Sequence, residues 1–475
     1  MEIASIRLLI FCTLQSTNYQ SMATQVSRRN IFKLLGLASI TPLSSWATNE
    51  NGERIILPNN KLHKPLSKPV TAITCGAGNR GNVYGNYALQ YPEQLDLIGV
   101  AEPIALRNER YARKHNIPDN NRLSTWEEIF KRPKFADAII ITTPDNLHYG
   151  PCMQALKMGY DVLLEKPISP SEKECRDILN LTNKTNRIVA VCHVLRYAPY
   201  FVKLREIIQS GVLGDVVSMQ HLEPIGHQHM SHSYVRGNWH NSKETTPIIL
   251  AKSCHDLDII KWMLGKQSKK IQAFGDLKWF RKENAPEGST ERCTDGCTVE
   301  GECPYSALKI YYRNRKYLHH FVLPDEQEKH GEAILDYLKN THYGKCVYRA
   351  NNDQPDHYIC NIQFENNTTA SFSMEAFTSY EGRRTRVMGS LGDVVGDMNS
   401  FVHTDFQSGK KTEWKQTSDG HGGGDWRLVA DWIQAVAQQN SSLLSSTIDA
   451  SIESHVMGFA AEKSRKENKV VQIKM

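Results

Sequence analysis

In DVLLEKPIS (Asp161–Ser169), three apolar residues run straight into Glu165, Lys166 and Pro167. A strand covered on both faces of a parallel sheet reads as a continuous apolar run. Charges at its carboxyl end lie where open α/β sheets bind their ligands. An acid and a base at that point are groups for moving a proton; a surface turn in which Pro167 forces the exit accounts for the same residues. A second candidate is Gly76-Ala77-Gly78-Asn79-Arg80-Gly81, a G-x-G-x-x-G that follows VTAITC directly. Its first glycine permits a tight turn, the second lets the backbone approach a pyrophosphate, and the third allows close helix–strand packing. Free amides at the following helix start would face the phosphates. The hexapeptide by itself is weak, because glycine turns are common. A third candidate is CHDLDIIKWMLG (Cys254–Gly265), with His255 and Asp256 at the start of a helical pattern. Histidine ionises near neutrality and suits proton transfer, although an isolated one is more readily structural. Asp256 can also cap the helix by accepting backbone N–H bonds.

The elements that must position these groups are legible around them. Val70 to Cys75 reads as a strand, and LDLIGVAEP as the next, closing with Glu102 near the place where an acid holds ribose hydroxyls. An acid there repels a 2′-phosphate, so NAD is favoured over NADP; Arg107, about a turn later, can soften that preference. A helix through Ala105–His115 leads to ADAIIITTPDNLH, a buried strand ending at Thr143 and Pro144. GPCMQALKMGY then reads as a helix and DVLLEKP as another strand. This alternation predicts a right-handed parallel sheet. Further on, DHYICNIQFENNTTASFSMEAFT alternates in polarity across a turn at residues 365–367 and reads as a β-hairpin. RRTRVMGSLGDVVGDM has the pattern of the next strand pair.

Taken in order, the glycine loop, TPDNLH, LLEKPIS, RYAPYFVKLREIIQSGVLGDV and CHDLDIIKWMLG resemble the Gfo/Idh/MocA oxidoreductase family from about Val70 to the C-terminus. The resemblance implies a Rossmann domain over residues 70–195. It also implies an α+β domain over 196–475, with an open, mostly antiparallel sheet that often mediates homo-oligomers, dimers or tetramers. It implies a nicotinamide cofactor held by the glycine loop with Asn79 and Arg80, by Glu102, by Thr143, Pro144, Asn146 and His148, and by Glu165 and Lys166, and a sugar or polyol substrate. Lys166 then corresponds to the family lysine that reaches the substrate hydroxyl and cofactor, after a peptide bond to Pro167 that the family allows to be cis. His255 takes the general acid/base position, and Arg196, Tyr197, Lys252 and Asp256 fall among substrate-lining positions. Arg196 and Tyr197 have structural readings of equal weight. Where the family often carries Asp four residues before the histidine, this chain has Ala251 followed by Lys252, a departure that touches the proton relay and substrate preference rather than the fold. Three activities remain in play: a sugar or polyol dehydrogenase, a redox-neutral glycoside hydrolase working through a transient keto-sugar, and a non-catalytic nucleotide binder.

Other features sit outside that pattern. RCTDGCTVEGECPYSA brings Cys293, Cys297 and Cys303 close in sequence, and Cys346 or Cys254 can complete a set of four. Structural zinc, an iron–sulfur cluster, a disulfide and free buried thiols all remain open. EPIGHQHMSHSYVRGNWH is rich in histidine and aromatics, and DGHGGGDW offers a glycine-rich bend bearing His421, read as closing over substrate or as a joint to the amphipathic WRLVADWIQAVA. At the N-terminus, SRRNIFKLLGLASITPLSSWA resembles a twin-arginine export signal, with Arg28 and Arg29 followed by Phe32 and Lys33. This predicts a leader over 1–47 (Met22 being a more usual start), a linker over 48–69, and a periplasmic protein; a basic tail on a cytoplasmic protein is the alternative. The chain of 475 residues has a formal charge of +6 and no basic stripe with interleaved aromatics, which argues against a nucleic-acid partner. No apolar run is long enough for a permanent membrane span.

Overall fold

The computed structural model describes residues 46–48, 54–56, 65–416 and 423–475. The twin-arginine stretch and His421 lie outside the described residues. Residues 46–48 and 54–56 pair as a short antiparallel ribbon.

The first half builds as its apolar runs dictate. Strands β1 (Val70–Cys75), β2 (Leu95–Ala101), β3 (Arg122–Leu123), β4 (Ala138–Ile141), β5 (Asp161–Leu164) and β6 (Val189–Val191) form a parallel sheet in the order β3-β2-β1-β4-β5-β6. This is the doubly wound dinucleotide-binding arrangement, with its switch point between β1 and β4. Helices α1 (Asn79–Gln90), α2 (Ala105–Lys114), α3 (Tyr149–Lys157) and α4 (Glu172–Thr185) make the crossovers. Burial on both faces explains why β4 and β5 are fully buried along their length.

After α5 (Pro199–Gln209), the chain enters β7 (Val216–Pro224), α6 (Cys254–Leu264) and β8 (Ser268–Asp276). The remaining strands are β9 (His357–Phe364), β10 (Thr369–Glu375), β11 (Arg384–Gly389), β12 (Gly392–Gly396), β13 (Ser400–Asp405), β14 (Lys411–Lys415) and, at the C-terminus, β15 (Val471–Gln472). Their order is β14-β13-β12-β11-β7-β10-β9-β8-β15, and only the pairing of β7 with β10 is parallel. The hairpin expected at residues 365–367 joins β9 to β10, with Asn366 and Asn367 at positive φ, a region asparagine tolerates. One face of this sheet packs Ile271, Ala273, Tyr358, Cys360, Phe372 and Met374 against the core. The alternation of strand polarity follows from burial on that single face.

Two excursions are not written in the strand pattern. Between β8 and β9, adjacent in the sheet, residues 277–356 form a lobe that carries α7 (His330–Asn340) and its own small core of Ala307, Ile310, Tyr311, Phe321, Ile334, Leu338 and Tyr343. After β14 the chain returns to the first sheet. Helix α8 (Gly424–Gln438) buries Leu428, Val429, Trp432, Ile433 and Val436 among Val70, Ala72, Tyr84, Tyr87 and Leu97. The last helix, α9 (Ile448–Glu467), runs back to the second sheet and packs on β8 and α6.

Candidate active site

The glycine loop is shaped by what a side chain would strike. Gly76 has φ of +93°, and a Cβ there would meet the Thr142 carbonyl oxygen at 2.7 Å; at Gly81 it would meet the Gly76 carbonyl oxygen at 2.1 Å. At Gly78 it would meet nothing closer than the Arg107 Nη1 at 3.9 Å, so the backbone there is open to an incoming group. Asn82 fixes the loop by donating from its side-chain amide to the carbonyls of Ala77 and Gly78, both at 2.9 Å. Thr142, at the end of β4, donates to the Gly76 carbonyl at 2.6 Å. Glu102 is 5% exposed, and its two carboxylate oxygens accept from the backbone N–H groups of Ala77 (2.8 Å) and Ile104 (3.0 Å). The open cradle at Gly78, beside a helix start and a carboxylate pinned to the same loop, fits a dinucleotide.

Glu165 and Lys166 leave β5 with a cis peptide bond between Lys166 and Pro167. The Glu165 carboxylate accepts from Arg80 Nε at 2.5 Å, from the Tyr84 hydroxyl at 2.8 Å and from the Lys166 backbone N–H at 2.6 Å. Arg80 also pairs with Asp425 at the start of α8, at 2.6 Å. Burial alone would raise the Glu165 carboxyl, but the Arg80 guanidinium and Lys166 ammonium hold it below its usual range. Glu165 therefore stays ionised and locked, while the Lys166 ammonium donates to the Ala251 carbonyl at 2.7 Å. In place of the expected carboxylate, position 251 offers Lys166 a backbone oxygen.

His148 spans the loops after β4 and β5, with Nδ1 2.7 Å from the Pro167 carbonyl and Nε2 2.9 Å from the Thr143 carbonyl. Its side chain is buried and braces these loops, whereas Pro144 and Asn146 are exposed. Thr143 donates to the Leu147 carbonyl at 3.1 Å. Asp145, between them, accepts from the Trp239 indole at 2.7 Å.

His255 enters at the start of α6. Burial and then the Lys166 ammonium hold it well below the usual histidine range, so it is neutral at pH 7. Its Nδ1 is buried without a hydrogen-bond partner among the described residues. His193 lies between His255 and His455, with ring centroids at 5.9 and 5.5 Å. Burial also keeps these two neutral, His455 at about 3. His455 Nε2 accepts from the Ile168 backbone N–H at 2.9 Å, which ties α9 to the segment after Pro167.

Beneath His255 runs a ladder of alternating charge. Lys252 pairs with Glu223 at 2.9 Å, Glu223 with Arg383 at 2.9 Å, and Arg383 with Asp256 at 2.6 Å. His221 Nε2 lies 3.0 Å from the same Asp256 oxygen. Burial would raise the Asp256 carboxyl, yet Arg383 and His221 pull it down, and it remains ionised. Both oxygens of this fully buried group face protein partners. Arg196 and Tyr197 are likewise turned inward. Arg196 grips Asp258 through Nε at 2.7 Å and Nη2 at 2.6 Å and donates to the carbonyls of Ser445 and Ala450; Tyr197 meets Ser446 at 3.1 Å. The structural alternative for both residues is the one the geometry supplies.

Of the readings left open for the cysteine group, the structural zinc or iron–sulfur one is not supported. Cys293, Cys297, Cys303 and Cys346 do gather around one cavity of about 20 Å³. All are free thiols, and among the described residues no group of His, Cys, Asp or Glu is arranged to hold a metal. Burial pushes the Cys303 and Cys346 thiols up. Cys293 is further engaged by the Ala307 backbone N–H at 3.4 Å. Cys254 lies elsewhere, its thiol influenced by Lys166, Asp256 and Asp258.

Sequence spacing did not single out Tyr84, Asn82, Glu223, Arg383, His193 or His455 as parts of this assembly, and it placed Asp425 in a glycine-rich bend that could close over substrate, without its partner Arg80. Asn82 and Tyr84 follow the glycine loop on the next helix turn, which is a usable signal; the others arrive from distant elements. Asp425 stands 345 positions from Arg80.

Residues 70–193 match the NAD-binding Rossmann fold of the GFO_IDH_MocA oxidoreductase family, and residues 205–473 match its C-terminal alpha/beta domain. YteT of Bacillus subtilis (strain 168), an oxidoreductase by name alone, is 23% identical over 350 residues, 69% of this chain and 78% of that protein. Several other curated relatives are matched over only 37% to 58% of their own length. An inordinately distant sequence still keeps the fold: an inositol dehydrogenase homolog from Azotobacter vinelandii, complexed with NADH and myo-inositol, aligns at 14% identity with a TM-score of 0.63 over 86% of this chain and 99% of that one. Levoglucosan dehydrogenase, in complex with NADH and levoglucosan, aligns at 14% identity with a TM-score of 0.64 over 86% of this chain and all of that one. With both of its domain models matched in order across most of the sequence, the chain belongs to the Gfo/Idh/MocA family of oxidoreductases.

Proposed function

We propose that the protein oxidises or reduces a hydroxyl-bearing carbon of a carbohydrate or polyol with a nicotinamide cofactor, NAD in preference to NADP. The observation that carries this reading is the Glu165-Lys166 strand end, bound through Arg80 to an open glycine loop, with the Lys166 ammonium near enough to lower the buried His255. Gly76, Gly78 and Gly81, the amides at the start of α1, and Glu102 would hold the dinucleotide. When bound, its nicotinamide supplies a two-electron hydride acceptor or donor. The Lys166 ammonium polarises the substrate hydroxyl, and His255 accepts or returns its proton. An alkoxide forming between them adds negative charge where Lys166 now lowers the imidazole, which raises the affinity of His255 for a proton at the moment it is needed. Glu165, fixed by Arg80 and Tyr84, orients Lys166 by accepting from its backbone N–H. The myo-inositol and levoglucosan bound by the two structural relatives motivate the substrate class.

Purification without added nucleotide, identification of what is retained, and a screen of polyols, free sugars and glycosides test this reading. Formation of NADH with a polyol or sugar is expected. Absence of any nucleotide binding contradicts it. A second reading, redox-neutral cleavage of a glycoside through a transient keto-sugar, is favoured by one observation: the twin-arginine-type stretch with Arg28 and Arg29, because an exported protein that keeps its NAD bound needs no outside supply of it. In that case glycoside turns over without net NADH.

Export through the twin-arginine-type leader is part of the proposal and rests on Arg28, Arg29, Phe32 and Lys33 alone. Homo-oligomerisation is proposed through the outer face of the nine-stranded sheet. Phe274 and Ile359, opposite one another on β8 and β9, are 50% and 44% exposed there.

A further inference from the structure

The lobe between β8 and β9 does not stay beside its own sheet. Its segment after Tyr317 reaches α2 on the nucleotide-binding half. Arg107 donates to the His320 carbonyl at 3.3 Å, and Arg110 donates to the Leu323 carbonyl at 2.7 Å. Asp325 pairs with Arg110 at 2.5 Å and lies 3.8 Å from Arg113. The segment is rigidly based: the His232 ring stacks on Tyr317 with centroids 4.3 Å apart, and Phe321 is buried against Tyr337 at 4.3 Å. Among the described residues Arg107 forms no ion pair with a carboxylate, and its Nη1 stands 3.9 Å from the point a Gly78 Cβ would occupy. Gly78 is the residue whose missing side chain leaves room for a pyrophosphate. A guanidinium held at that opening, without an acid of its own, suits phosphate oxygens.

We propose that Arg107, steered by the His320 carbonyl of the inserted lobe, is a ligand for the cofactor pyrophosphate, and that the clasp of the lobe on α2 slows cofactor release. The proposal rests on the nicotinamide-dinucleotide reading above. It adds that a part of the second half completes the cofactor site.

The test is equilibrium binding of NAD and NADP together with the release rate of NADH. It compares the wild-type protein with Arg107→Ala, with Asp325→Arg, and with the charge swap Arg110→Asp plus Asp325→Arg. Hydrogen bonds to charged groups are worth enough that Arg107→Ala should weaken NAD and NADP alike, by roughly 10- to 100-fold. Asp325 is 64% exposed on its side chain, so Asp325→Arg should leave the melting temperature unchanged while speeding NADH release about tenfold. The charge swap should slow release again. Loss of NADP affinity alone in Arg107→Ala assigns that side chain to the 2′-phosphate and overturns the proposal. Release from Asp325→Arg at the wild-type rate overturns the clasp. A wild-type protein that binds neither nucleotide removes this inference and the oxidoreductase reading together, whereas normal binding with indifferent variants removes this inference alone.

Discussion

In the proposed reaction Lys166 and His255 carry different parts of one task, because their surroundings treat charge differently. The ammonium is supported by the ionised Glu165 and the Ala251 carbonyl, while burial and that same ammonium keep the imidazole neutral. A proton acceptor and a cation are thus available together near pH 7. Replacing Lys166 by Ala should lower kcat by about 10²- to 10⁴-fold, the usual weight of such a group, with nucleotide retention intact; equilibrium binding alongside steady-state kinetics checks both. The position of Glu165 and Lys166 at the carboxyl end of an apolar strand was readable, although a surface turn explained those residues equally well until the ordered motifs were set beside them. His255 was readable only through the ordered motifs around it. The turning of Arg196, Tyr197 and Asp256 into buried networks was not readable, since their partners Asp258, Ser446, Arg383 and His221 are fixed by tertiary contact.

Glycines of the same motif should fail in different ways at the level of elements. A side chain at Gly78 enters open space, so Gly78→Val should abolish dinucleotide binding while the melting temperature changes little. At Gly81 the added carbon would collide with the Gly76 carbonyl oxygen, so Gly81→Ala should destabilise the fold itself. Thermal unfolding and nucleotide titration of the two variants separate these outcomes. The parallel sheet and the β9–β10 hairpin were legible because apolar runs and alternation report burial on two faces or one. The lobe at 277–356 and the return of α8 to the first sheet were not. An amphipathic helix such as WRLVADWIQAVA declares that it must bury a face, but not which sheet will receive it. Asp425 illustrates the consequence: seen as part of a glycine-rich bend, it anchors Arg80 and through it Glu165. Asp425→Asn should therefore lower kcat more than it raises KM, because the substrate is not its partner; Michaelis kinetics reads the difference.

For the whole molecule, the neutral imidazoles His193, His255 and His455 of the site couple stability to pH, alongside His115, His232 and His320, which burial also lowers. Each folded-state value lies below the ordinary 6.5, so the unfolded chain takes up a proton first as pH falls. Their contribution is fully present above about pH 6.5 and is lost below it, for His455 down to about 3. Each group adds up to about 1.4 kcal/mol per pH unit in that window. Melting temperatures should fall steadily from pH 7 to pH 5, and His193→Leu should flatten the slope: neither ring nitrogen of His193 has a hydrogen-bond partner among the described residues, and the Asp258 carboxylate stands 3.6 Å from Nε2. Assembly is tested on the same scale: Phe274→Lys with Ile359→Lys should reduce the mass measured by light scattering if the outer sheet face joins subunits.

Hydride transfer between a hydroxyl-bearing carbon and a nicotinamide held at Gly76–Gly81, with Lys166 and His255 handling the proton, is most directly tested by isotope transfer. A polyol or sugar that turns over is supplied with deuterium on the reacting carbon, and the protein-bound nucleotide is analysed by mass spectrometry after a single turnover. Wild-type protein should place one deuterium on the nicotinamide, and Lys166→Ala should label its bound nucleotide about 10²- to 10⁴-fold more slowly. Turnover that leaves the nucleotide unlabelled, or labelling at equal rates in both proteins, would contradict the account.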